Sequence, residues 1–350
     1  MVVNAMWRRI ALGMSAAVII LTGCGGLAPC TSNRCVGDFA SLEGPYLGQR
    51  LPGMEPELFA PGFVSTGLDE LNSVFHPNGE EFYFAVDIGP RFVLMMSRSE
   101  ESGWTEPQVL DFSRRHSAVD LAFTADGEKM FFCSNRPRLG GIQPEEDYDI
   151  WWVERQPDGS WENPRRLEGG VNSDVSEFYP SLTDDGTLYF LSRRDGGVGG
   201  SDIYRSHLVA GEYSEPENLG PVINTESNEG DAFIARDESF LIFVSSGHGR
   251  KPDEGRLFVS FRSTDGGWSE PRNLGPATDR SDYCPTLSPD GRFFFFTGTR
   301  TRWDRGSDEV CFPSLLAGVA KPQNGNDDIY WVDSDFVTRL RSSTGSRVVL

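Results

Sequence analysis

Histidine is scarce in this chain, with four in 350 residues: His76, His116, His207 and His248. A His-rich metal centre is therefore not expected. The six cysteines form no C-x-x-C pair and no Cys/His cluster, which argues against zinc. No EF-hand-like spacing appears either. The reading is no metal and no cofactor. A G-x-S-x-G elbow is lacking, and His248 sits in Gly247-His248-Gly249, a loop setting rather than that of a general base. Basic residues are also short, 32 against 52 acidic, for a net charge of −20. A polyanion gains little from so acidic a partner, so nucleic-acid binding is excluded as a general function.

Glycine and proline, by contrast, are plentiful, at 39 and 22 residues. They cluster in short stretches between apolar runs, which is the signature of many turns. Charged residues make up 24%, an ordinary share, so the composition is not that of a disordered chain.

The first residues read as an address. Trp7-Arg8-Arg9 precede an almost uninterrupted apolar run, Ile10 to Leu21, then Leu21-Thr22-Gly23-Cys24. The run has the length of a signal-peptide core and is short for a bilayer span. The closing tetrapeptide resembles the lipobox of bacterial lipoproteins. That resemblance implies cleavage before Cys24, lipidation of Cys24, and, with Gly25 following, an outer-membrane destination in a Gram-negative cell. An ordinary signal peptide cut near Gly23 is the alternative. Residues 1–23 are thus read as leader. Residues 24–56 are read as the lipidated Cys and a Gly/Pro-rich flexible tether, in which Cys30 and Cys35 have an undetermined disulfide state.

From Glu70 onward the chain repeats with a period near fifty residues. Turns at Asn78-Gly79, Asp126-Gly127, Asp185-Gly186, Asp237-Glu238 and Asp290-Gly291 each precede an aromatic strand such as Leu188-Tyr189-Phe190. Asp-Gly between apolar runs signals a hairpin, because Gly accepts positive φ. A third strand follows in each unit, for example Asp202-Ile203-Tyr204. Four units then carry an aromatic hairpin, at Trp104, Trp161, Tyr213 and Trp268, and a fourth strand. The fifth fourth strand is supplied from the front, where Pro56-Glu57-Leu58-Phe59-Ala60-Pro61 parallels Pro216-Glu217-Asn218-Leu219-Gly220-Pro221. The expectation is an all-β propeller over residues 57–335 of five blades, each of four antiparallel strands, closed by an N-terminal strand. Six blades are the alternative. Residues 336–350 are left as a tail.

Pro180-Ser181-Leu182-Thr183-Asp184-Asp185-Gly186-Thr187-Leu188-Tyr189-Phe190, followed by Asp202-Ile203-Tyr204, resembles the WD-repeat-like propeller repeat of TolB and many exported bacterial proteins. Cys284-Pro285-Thr286-Leu287-Ser288-Pro289-Asp290-Gly291 matches it too. The resemblance implies the fold; propellers host many functions. Two features depart from it: Asp237-Glu238 where Gly is expected, and an insert from Thr301 to Asn326.

Strand order places the loops entering each unit on one rim, together with those joining second and third strands. That rim is acidic at Glu70, Asp120, Glu177, Asp231 and Asp282. It carries arginine at Arg136, Arg193, Arg194 and Arg300. These nine residues are the candidate binding set, gripping a partner through Arg forks and carboxylates. The competing reading is that acids and arginines pair between neighbouring blades and set the ring. The recurring Trp/Tyr hairpins are expected to pack between blades. Three functions fit. The first is a lipid-anchored, non-catalytic protein-interaction module of the cell envelope, facing the periplasm or the cell surface. The others are a glycan- or peptidoglycan-binding lectin, and a propeller glycoside hydrolase using paired carboxylates such as Glu177 and Asp282. No catalytic residue is assigned, and the residues alone leave enzymatic activity undecided.

Overall fold

The computed structural model describes residues 42–138, 143–249, 256–275, 278–279, 281–301 and 318–342. Cys24, Cys30, Cys35 and most of the insert after Thr301 lie outside the described residues.

Five antiparallel sheets follow one another along the chain, each built on four strands, with the two-residue strand Gly103–Trp104 added to the first. Blade 1 comprises Asp69–Phe75, Glu81–Asp87, Phe92–Glu100 and Gln108–Val109. Blade 2 comprises Val119–Phe123, Lys129–Ser134, Asp149–Arg155 and Trp161–Arg166. Blade 3 comprises Glu177–Leu182, Leu188–Ser192, Asp202–Ser206 and Glu217–Asn218. Blade 4 comprises Glu229–Ile234, Phe240–Ser245, Leu257–Phe261 and Arg272–Asn273. Blade 5 comprises Tyr283–Leu287, Phe293–Thr301 and Asn324–Asp333, and its fourth strand is Glu57–Leu58. Glu57 lies opposite Trp331, and Leu58 opposite Tyr330. The inner strands touch in sequence, and the fifth touches the first. The five-bladed propeller and its N-terminal closing strand are as the repeat arithmetic predicts; the six-bladed alternative falls.

The closure is held by packing more than by the short strand. Phe59 is fully buried among Phe75, Phe82, Phe295 and Trp331, with ring centroids 5.0–6.3 Å away. Upstream residues join this core. Leu47 is buried, and Tyr46 meets Phe293 edge-on at 4.9 Å. Trp104 donates its indole N–H to the Gly44 carbonyl at 2.8 Å. The packed body therefore begins before residue 57, inside the segment that composition assigns to a tether. At the other end, Asp335–Ser342 forms a helix whose Phe336 and Val337 are buried against blades 4 and 5.

Aromatic hairpin residues reach back to the preceding blade. Trp161 donates its indole N–H to the Tyr83 hydroxyl at 2.9 Å, and Tyr213 meets the Phe131 ring at 6.3 Å. The irregular turn of blade 4 has the same purpose. Glu238 adopts φ 57°, a conformation that costs a non-glycine residue about 1 kcal/mol. Its carboxylate accepts the Tyr189 hydroxyl of blade 3 at 2.5 Å and lies 3.5 Å from Arg262. Glycine there would relieve the backbone and lose the link.

Candidate functional site

The rim acids serve the backbone before anything else. Glu70, Glu177 and Glu229 occupy the same place in blades 1, 3 and 4. Each accepts the N–H and the hydroxyl of a Ser or Thr four residues earlier: Thr66, Ser173 and Thr225. In blade 5 Asp282 accepts only the N–H of Asp279, three residues earlier. Blade 2 has Ala118 at this position. Burial pushes Glu70 and Asp282 up to about 7.

The rim arginines are latched to their own blades. In blades 2 and 3 the pattern is Ser-x-Arg: Ser134 Oγ accepts the backbone and Nε hydrogens of Arg136, and Ser192 Oγ those of Arg194. Arg136 packs on the rings of Phe112, Phe132 and Trp151, and its burial lowers it to about 10. Arg194 stacks on Phe190 and Tyr204 and pairs with Glu177 at 3.1 Å. It also donates to the carbonyls of Gly170 and Val171. Arg300 pairs with Asp282 at 2.7 Å over the Tyr330 ring. Arg193 is exposed beside Arg194. Arg136, Arg194 and Arg300 therefore follow the structural reading, although Arg194–Glu177 and Arg300–Asp282 are pairs within a blade rather than between blades.

Asp120 and Asp231 lie deeper than the rim. They belong with Asn72, Tyr179 and Cys284, one residue from each inner strand, all at positive φ where the pairing register shifts. The bulge turns each residue off the strict alternation of a strand, so the five form a ring at the propeller axis. Both aspartates are 1% exposed. Asp231 accepts the Cys284 N–H at 3.4 Å through one oxygen, while its other oxygen and both oxygens of Asp120 have no well-formed hydrogen bond among the described residues. Burial pushes Asp231 up to about 6, and Asp120 well above the usual carboxylate range, with the charge of Asp231 adding to the effect on Asp120.

Glu177 and Asp282 do not form an open acid–base pair. Both are buried and bridged to arginines of their own blades. Apolar side chains are also open on this face. Leu68, Ile88 and Val319 are 55%, 45% and 52% exposed. Leu68 and Ile88 lie directly beyond the paired Asp69 and Asp87, and the Asn324 amide bridges the carbonyls of Gly67 and Val319. Sequence reasoning missed this patch because it searched the rim for charge alone.

A second feature escaped it entirely. On the opposite face, the far ends of all five inner strands and the turns after them enclose a funnel of about 570 Å³. Tyr179 of the axial ring lines it, as do Phe75, Phe123, Phe233 and Arg236. The chain carries a faint signal for it, since large apolar residues recur just before the turns.

No family model matches the chain, and no curated protein matches it. Among solved structures it is similar to TolB from Acinetobacter baumannii, at 13% identity and TM-score 0.44, over 76% of this chain and 57% of that one. It is similar to an α-L-arabinofuranosidase from Lactobacillus brevis, at 10% identity and TM-score 0.43, over 77% and 91%. It is also similar to a puromycin-hydrolyzing peptidase of Mycobacterium tuberculosis, at 15% identity and TM-score 0.39, over 67% and 35%. The chain thus spans just over half of the TolB molecule. The propeller assignment rests on strand pairing, and likenesses this distant say nothing of activity.

Proposed function

We propose that the chain is a non-catalytic protein-interaction module of the bacterial cell envelope, anchored through lipid on Cys24, with the entry-loop face as its binding surface. The observation that carries this reading is the exposed knot of Leu68, Ile88 and Val319 beside Asp69 and Asp87. Clustered exposed apolar side chains rimmed by polar groups are a mark of partner surfaces. In the neighbouring blade 5 the Arg300–Asp282 pair is satisfied internally and need not be consumed by a partner. A partner segment presenting apolar side chains next to basic ones fits this surface. Hydrolysis of a glycan would need two carboxylates facing an open cleft, and the buried, arginine-bridged Glu177 and Asp282 do not support that role.

Crosslinking of the full-length, lipidated protein in native membranes tests the proposal. The expected result is a defined protein partner that is lost from a folded Leu68→Ser/Ile88→Ser variant. Undiminished capture by that variant refutes the assigned face. Failure of a Cys24→Ser variant to leave the membrane fraction refutes the anchor.

A further inference from the structure

The turn-face funnel has the size of a small-molecule site. Phe75, Phe123, Leu182, Phe233, Phe240 and Leu287 give it an apolar wall contributed by all five blades. Set into this wall is Arg236, on the turn of blade 4. Its Nη1 is buried and has no hydrogen-bond partner among the described residues. A guanidinium does not shed its proton near neutral pH, so a largely desolvated one calls for an anion. Burial works against its charge, and Asp184 and Asp126 support it from beyond ion-pair distance. Asp290, the other carboxylate on the wall, is occupied by the Ser288 hydroxyl and the Arg292 N–H.

We propose that this funnel binds a small amphipathic carboxylate, its apolar body against the aromatic wall and its single negative charge on Arg236. The charge balance favours a monoanion. Arg236 is the one cation among the residues lining the cavity and has no ion pair among the described residues, while Asp184 and Asp290 on the wall repel a second negative charge. Size favours a compact ligand over an extended chain, since the funnel ends at the buried axial ring. The site is separate from the entry-loop face, and it stands or falls independently of the interaction proposed there.

The test compares 4-phenylbutyrate with 4-phenylbutanol, its uncharged counterpart, by calorimetry on the detergent-solubilised full-length protein. A carboxylate on an otherwise unpartnered guanidinium gives an expected preference for the acid of roughly 10-fold or more. Arg236→Gln abolishes that preference while leaving weak binding of the alcohol. Asp184→Asn strengthens binding of the acid, because it removes the neighbouring negative charge. The second variant keeps the test decisive if Arg236→Gln folds poorly. Equal binding of acid and alcohol by the parent protein overturns the proposal, as does an acid preference that survives in folded Arg236→Gln. Absence of acid binding up to millimolar concentration also overturns it, whether or not the funnel captures a peptide.

Discussion

Replacing Asp231 with Asn isolates the cost of placing a carboxylate at the propeller axis. Among the described residues Asp231 has one hydrogen-bonded oxygen and one without a partner, and it is 1% exposed. Burial raises it from 3.8 to about 6. Between those values the folded protein holds a proton that the unfolded chain has released. Stability therefore falls as pH rises through this window and stays low above it. At about 1.4 kcal/mol per pH unit, the loss approaches 3 kcal/mol. Asp120 acts in the same sense, and part of its own upward displacement comes from the charge on Asp231. Asparagine removes the charge and keeps an acceptor for the Cys284 N–H. Its new amide hydrogens carry a penalty, but the same penalty at every pH. Urea denaturation of parent and Asp231→Asn at pH 4 and pH 7.5 therefore cancels the packing change. The variant's stability relative to the parent is expected to improve by about 2 kcal/mol between the two conditions, because at pH 4 the unfolded aspartate is already more than half ionised. An unchanged difference would refute the assignment of the cost to a desolvated charge.

Trp161→Phe removes the indole donor to Tyr83 and is expected to cost about 1–3 kcal/mol, read from the denaturation midpoint, because the hydroxyl stays buried. Phe59→Ala empties the centre of the closing cluster and is expected to cost about 3–5 kcal/mol. Hydrogen exchange in that variant should quicken first at Ile329–Trp331, where the closing segment is bonded. Arg194→Glu sets two carboxylates together in a buried site and should destabilise the ring by about 3–5 kcal/mol, seen as a lowered thermal midpoint. Reversing Arg193 and Arg194 together thus perturbs the fold as well as the rim.

The architecture was legible because turns and aromatic strands recur in register with the blades, and Pro56-Glu57-Leu58 carries enough of a fourth strand to be recognised as one. The site was less so. Charge composition places Glu177 and Arg194 on the same rim, but not whether each is spent on a neighbour. That depends on Ser192 and the aromatic faces of Phe190 and Tyr204 beneath the guanidinium. Asp120 and Asp231 read as rim residues because they were placed in the entry loops, whereas they lie within the inner strands, where a bulge carries each to the axis. The funnel is built from the ends of five inner strands far apart in sequence, so the apolar residues before the turns do not by themselves announce a cavity. Leu42, Tyr46 and Leu47 sit in a Gly/Pro-rich stretch whose composition suggested a tether, yet Leu47 is buried in the closing core and Leu42 and Tyr46 pack against it, Tyr46 on Phe75 and Trp331.

Because Glu57 and Leu58 pair with Trp331 and Tyr330, the circle has a built-in order of assembly. A chain made or threaded from its N-terminus presents this strand first and its partner last. Until the fifth blade is available, Phe59 has only half of its aromatic nest, and two sheet edges stand open. Closure of the ring therefore requires that the chain has arrived through blade 5. A molecule truncated within blade 5 cannot close, and its raw edges mark it for aggregation or proteolysis.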